Sequence, residues 1–250
     1  MTAHMEGAML ERILDNGPLA AWLGRKPWHP ALRASRERFR RFDQGLSLEE
    51  YEFTVVDTEL TGMDHRKDEI VSIGAVRIRG MAIAPGENFY AVVRPSCLPK
   101  ACTLIHRITP SEVEAAPDLA DVLPEFADYL GQSLVVGHHI GMDMAFINRA
   151  SRGILGGPMV NPCLDTLRLA QVHEEERRMD HDDRFNPRLS YTLADLSGQY
   201  GLPRFPAHNA LSDAMQTACL FLFLARKLRK GCLRTLKELH ALSRDWRWRL

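Results

Sequence analysis

Three strand-like runs in immediate succession, followed by a switch to alternating helix and strand, most constrain what this chain can fold into. FTVVD (53–57) is short, largely apolar and β-branched, which suits a central strand. EIVSIGAVRIRG (69–80) reads as a longer strand, and ENFYAVVRP (87–95) as a third, closed by Pro95. TGMDHRKD, between the first two, has turn chemistry. The runs predict an opening three-stranded antiparallel meander. Beyond it, 119–130 has helical spacing, SLVVGH (133–138) is a short buried strand, and 142–152 a helix. A strand over 162–165 then runs into a helix over 166–172. Helices follow over 191–200, 209–228 and 233–242. The whole predicts an α/β fold, a mixed sheet flanked by helices.

Size and charge bound the rest. At 250 residues and 45% hydrophobic, the chain supports one good core, or a domain with a smaller appendage. Lys+Arg and Asp+Glu are 32 each, so net charge argues neither for nor against nucleic acid. Residues 1–50 read as a helical appendage, with a short helix over 5–14. A basic segment follows, which reads as packed on the back of the domain by Trp22, Trp28, Leu32 and Phe39, with a basic helix touching phosphates as the alternative. The main domain spans 51–230, and a basic helix over 231–250 would pack upon it. The acidic run 174–183 reads as a solvated surface. Five cysteines without a CxxC read as free thiols in a reducing compartment. Glu6, Glu11 and Arg12 are unlike a signal peptide, and the apolar run 218–225 is too short for a membrane span. The expectation is a soluble, cytoplasmic protein.

Five residues carry the chemistry. Asp57 and Glu59 stand two apart at the end of a strand, so both carboxylates point to one face. Asp143 lies near the start of a helix, just past a buried strand. His208 falls in a loop, and Asp213 on the long helix that follows. Each has a plain structural reading: an exposed strand end, a helix cap, a satisfied loop histidine, a helix-start acid. Taken together they suit hard cations such as Mg²⁺ or Mn²⁺, which prefer oxygen ligands. Carboxylates on several elements fit a two-metal site acting on a phosphodiester. A histidine can take a proton from the attacking water near neutral pH.

Three segments in order, DTELTG with IVSIGAV, GHHIGMDMAFIN and HNALSDA, resemble the three motifs of the DnaQ-like (DEDDh) 3′–5′ exonucleases, a family that includes the proofreading ε subunit of bacterial DNA polymerase III. HRITPSEVEAAPDLADVLPEFADYL resembles the connecting segment, so the likeness covers about residues 52–228. It implies an RNase H-like fold and two divalent cations, Mg²⁺ or Mn²⁺. Asp57, Glu59 and Asp213 would bind one metal; Asp57 would bridge to the second, with Asp143 nearby. His208 would be the general base. Thr61 and Gly62 would face the terminal nucleotide, and His106 matches a substrate-contacting histidine. The implied substrate is the single-stranded or frayed 3′ end of DNA, with RNA as the alternative, and association with a DNA polymerase is a further expectation. A non-catalytic binding or tethering module would show a lost ligand, and none is lost. Two positions depart from the pattern: His139 replaces the usual Asn of the second motif, and Ser72 the usual Glu before IGA. Asp165 reads as a helix cap, not a fifth ligand.

Overall fold

The computed structural model describes residues 26–180, 190–229 and 235–243. Helix α1 (Pro30–Arg40) and a single 3₁₀ turn (Leu48–Glu50) lead into β1 (Glu52–Leu60), β2 (Ile70–Arg79) and β3 (Ala82–Val92). Helices α2 (Lys100–His106), α3 (Pro110–Ala115) and α4 (Leu119–Leu130) precede β4 (Leu134–Gly137), α5 (Gly141–Ile154) and β5 (Cys163–Asp165). The chain continues through α6 (Thr166–Asp180), α7 (Leu193–Gln199), α8 (Ala210–Arg229) and α9 (Leu236–Ser243). The sheet order is β3-β2-β1-β4-β5. The first three strands form the expected antiparallel meander, and β4 and β5 join it in parallel. The mixed sheet flanked by helices is the fold the strand pattern predicts.

Strand alternation sorts β1 between two cores. Phe53 and Val55 pack with Ala214, Ala218 and Phe221 of α8, the Phe53 and Phe221 rings 5.1 Å apart. Val56 faces the other way, toward Leu123 and Phe126 of α4 and Phe146 and Ile147 of α5. Burying each such side chain contributes about 1.5–3 kcal/mol, so both sheet faces are firmly covered. Asp57 and Glu59 continue the Phe53–Val55 row and emerge on the α8 side. Cross-strand pairing sets Gly74 opposite Asp57 and Ser72 opposite Glu59.

Gly74 decides how close α8 comes. A Cβ built there would lie 2.1 Å from the Ala210 carbonyl carbon and 2.2 Å from the Leu211 nitrogen. Because those atoms are backbone, no rotamer change relieves the clash. The missing side chain lets the first turn of α8 rest on β2, which carries Asp213 to the end of β1.

Several elements differ from expectation. Residues 5–14 and Trp22 lie outside the described residues, as do those after 243. Within 26–50, Leu32 and Ser35 are buried, Ser35 donating its hydroxyl to Asn161 Oδ1 at 2.9 Å. Trp28 and Phe39 are partly buried against the two cores. Leu236 and Leu239 of α9 are buried as well. Helix α6 runs on to Asp180 rather than stopping near 172, because its Glu- and Arg-rich second half favours helix. The solvated reading of the acidic run fails at Glu174, which is buried. Its carboxylate accepts from Gln199 Nε2 at 3.0 Å, Tyr200 Oη at 2.8 Å and Arg177 Nη1 at 3.0 Å, and those donors replace water. Helices α2 and α3 were not anticipated. The second has a full capping box between Thr109 and Glu112. Cys97, Cys102, Cys163 and Cys219 are free thiols; Cys232 lies outside the described residues.

Gly74→Ala should destabilise the protein by about 1–3 kcal/mol, the usual cost of overpacking a tight core contact. Urea unfolding reads this as a lower midpoint with an unchanged slope. An unchanged midpoint would show that α8 does not depend on this approach.

Candidate active site

The row that buries Phe53 and Val55 delivers Asp57 and Glu59 to the end of β1, and Gly74 brings Asp213 to meet them. One carboxylate oxygen from each of Asp57, Glu59 and Asp213 lies within 4.8 Å of the other two. Among the described residues no other group of three His, Cys, Asp or Glu side chains converges in this way. Oxygen donors at that spacing on three sides suit a hard divalent cation.

Asp143 stands beside this trio rather than within it. From the first turn of α5 its Oδ1 accepts the Thr58 backbone N–H at 3.0 Å and the Thr58 hydroxyl at 2.6 Å. Thr58 lies between the two strand acids and faces α5, so β1 touches the site from both faces. Thr58 was not singled out from the sequence; the alternation that aimed Asp57 and Glu59 one way also aimed Thr58 at the opposite helix.

The crowding is visible in the proton affinities. Burial, then the charges of Asp143, Asp213 and Glu59, push the Asp57 carboxyl well above its ordinary range. Burial first, then Asp213 and Asp143, pushes Glu59 up to about 7. Burial pushes Asp143 up to about 6 even though the Thr58 donors pull it down. Asp213 is raised by burial, offset by the His208 N–H and by His208 itself. Without a counter-charge these acids bind protons more tightly than isolated carboxylates do, and a cation would compete with those protons.

His208 is exposed and lies in the left-handed region at φ 65°, with its backbone N–H donated to Asp213 Oδ2 at 2.9 Å. The loop geometry therefore ties the histidine to one of the acids and leaves its ring in solvent. Thr61 is buried, its hydroxyl accepting the Glu69 N–H at 2.9 Å and its carbonyl accepting the Cys102 thiol at 2.8 Å. A Cβ on Gly62 would meet the Asp68 carboxylate at 2.4 Å. His106, at the end of α2, is buried rather than a turn residue in solvent. Its Nδ1 accepts the Ile108 N–H at 3.2 Å, Nε2 has no partner among the described residues, and burial lowers its proton affinity.

The second motif explains its own departure. His139 has φ 63°, a region where Asn is favoured and His is one of the few other tolerated residues. Its N–H donates to Asp165 Oδ1 at 2.9 Å, and the same oxygen caps α6 by accepting the Leu167 N–H at 2.9 Å. Asp165 is thus the cap expected, and it also anchors the turn before α5. His138 donates from Nε2 to the Tyr191 carbonyl at 2.9 Å, with Thr166 Oγ1 3.0 Å from its other nitrogen. Ser72 Oγ is buried with no hydrogen-bond partner among the described residues. Met63, Leu104 and Phe205, which the sequence did not single out, are large apolar side chains left exposed.

A five-stranded mixed sheet with three converging carboxylates at the end of its central strand defines a nuclease scaffold. The RNase_T exonuclease family matches residues 54–221, and the chain belongs to this DnaQ-like exonuclease family, whose members use divalent metals. It is similar to the DNA polymerase III subunit epsilon of Aquifex aeolicus, 33% identical over 177 residues, 70% of this chain and 81% of that protein. It is 32% identical over 192 residues to the DNA polymerase III PolC-type of Thermotoga maritima, covering 76% of this chain but 13% of that protein. The RNase H-like fold recurs in Exonuclease X in complex with 5′ overhanging duplex DNA, at TM-score 0.55 and 24% identity over 77% of this chain and 99% of that one. It recurs in E. coli Exonuclease I in complex with a dT13 oligonucleotide, at TM-score 0.63 and 18% identity over 73% of this chain and 42% of that one. No helix among the described residues is long and apolar enough to cross a membrane.

The proton affinities make a test in metal-free protein. A Glu59 carboxyl at about 7 when folded and 4.5 when unfolded holds more protons in the folded state, so stability falls as pH rises through that window. In EDTA at pH 8, Glu59→Gln should therefore melt higher than wild type, by an effect on the order of 1–2 kcal/mol. The advantage should vanish below about pH 4.5, where the carboxyl is protonated in both states. A Gln variant no more stable than wild type at pH 8 would refute the crowding.

Proposed function

We propose that this chain is a metal-dependent 3′–5′ exonuclease that hydrolyses phosphodiesters from the 3′ end of DNA and releases nucleoside 5′-monophosphates. The observation that carries the reading is the convergence of Asp57, Glu59 and Asp213, with His208 tied to Asp213 by its own N–H. Asp57, Glu59 and Asp213 would hold one divalent cation, Asp57 would also serve a second, and Asp143, held by Thr58, would stand beside them. The chemistry such cations, Mg²⁺ or Mn²⁺, would supply when bound is neutralisation of charge at the reacting phosphodiester. An imidazole nitrogen of His208 takes the proton from the attacking water.

Substrate contacts follow from the rim. Thr61 and Gly62 shape the loop that meets the terminal nucleotide, and the unpartnered Nε2 of His106 offers it a donor. Met63 and Leu104 are 77% and 84% exposed, and a nucleobase is the natural cover for such apolar side chains beside a phosphodiester site. DNA is favoured because the relatives are named as DNA polymerase III subunits, which also supports association with a polymerase and work in the cytoplasm.

The test is degradation of 5′-labelled single-stranded DNA, single-stranded RNA and duplex DNA with Mg²⁺ or Mn²⁺. Products should shorten stepwise from a free 3′-hydroxyl, and EDTA should stop the reaction. Cleavage of a closed single-stranded circle would refute exonuclease action, and faster loss of RNA would move the substrate to RNA.

Variants separate the roles. Asp57→Ala should abolish measurable cleavage while single-stranded DNA binding partly survives, since stacking and phosphate contacts remain. Retention of more than about a tenth of the rate, under roughly 1.4 kcal/mol of barrier, would exclude Asp57 as a core ligand. His208→Ala should lose about 10²–10⁴-fold in rate with metal affinity unchanged. Strongly weakened metal binding would make His208 a ligand instead of a base.

A further inference from the structure

Tyr90 lies on the edge strand β3, directly across from Gly74, which lies across from Asp57. All three face α8. Asn209, the residue after His208, donates from Nδ2 to the Tyr90 hydroxyl at 3.2 Å. Its Oδ1 accepts the Ser212 N–H at 3.1 Å and so caps α8. The Asn209 amide thus joins the helix start to the sheet edge. His208, at φ 65°, holds an uncommon left-handed conformation that neighbouring bonds help to fix. Two side-chain bonds flank it on the described residues: Asp213 from the helix side, on its own N–H, and Tyr90 from the sheet side, through Asn209.

From this arrangement we propose that Tyr90 is a positioning residue for His208, its hydroxyl pinning the loop that aims the imidazole at the attacking water. The proposal rests on the assignment of His208 as base. Neither the hydroxyl nor Asn209 belongs to the carboxylate trio, so loss of the pin leaves the cation site whole. The Tyr90 ring is partly exposed beside the site, and phenylalanine preserves that ring while removing only the hydroxyl.

The experiment compares Tyr90→Phe, Asn209→Ser, the double variant and His208→Ala. Serine still caps a helix but does not reach Tyr90. Tyr90→Phe and Asn209→Ser should each lower kcat by about 10- to 100-fold, the scale of a displaced catalytic group, with KM unchanged. The double variant should lose no more than either single one, because both break the same bond. In metal-free protein the His208 ring resonances, assigned by their loss in His208→Ala, should be a single dispersed set in wild type and averaged in Tyr90→Phe. A Tyr90→Phe enzyme with wild-type kcat and an unmoved His208 signal overturns the proposal, as does a lowered melting temperature with no change in kcat. Wild-type activity in His208→Ala would remove the base and overturn this proposal together with the reading beneath it. Loss in His208→Ala alone would overturn only the role of Tyr90.

Discussion

Everything in this molecule depends on holding like charges together where water cannot fully separate them. Asp57, Glu59 and Asp213 repel one another, and burial deepens the penalty, as the raised proton affinities record. Such a cluster persists only on elements stiff enough to bear it. The Phe53–Val55 row fixes the direction of the strand acids through the core they share with Phe221. The close approach at Gly74 fixes α8, and with it Asp213. Thr58 fixes Asp143 by two hydrogen bonds.

The same crowding gives the site its purpose. Groups that cannot easily ionise alone bind hard cations well, because the cation replaces protons and removes the repulsion at once. His208 lies outside the crowd, exposed, joined to Asp213 by its backbone N–H. This keeps the proposed base apart from the groups that hold charge. Met63, Leu104 and Phe205 are large apolar side chains left exposed to solvent.

Legibility in the sequence followed the range of the interaction. The meander was readable, and the five candidate residues stood out, because each rests on a local pattern: period-two strands, a strand end, a helix start. The direction of Asp57 and Glu59 came from two positions in one strand. Helices α2 and α3 were missed because they are 7 and 6 residues long, below the length at which periodicity speaks, although the Thr109–Glu112 capping box was there to be read. Glu174 was misread because composition says nothing about which member of an acidic run will find partners in α7.

The amino-acid sequence by itself determined the order of the strands and longer helices and the identity of the candidate acids and histidine. Those are properties of short stretches, set by backbone sterics and side-chain chemistry. Only the tertiary structure decided that Asp143 stands apart from the trio and that Tyr90 meets Asn209 across 119 positions of sequence. It alone decided that Gly74 is the contact on which α8 settles. Each of these is a distance between segments remote in the chain, and such distances exist only once both cores have closed around the sheet.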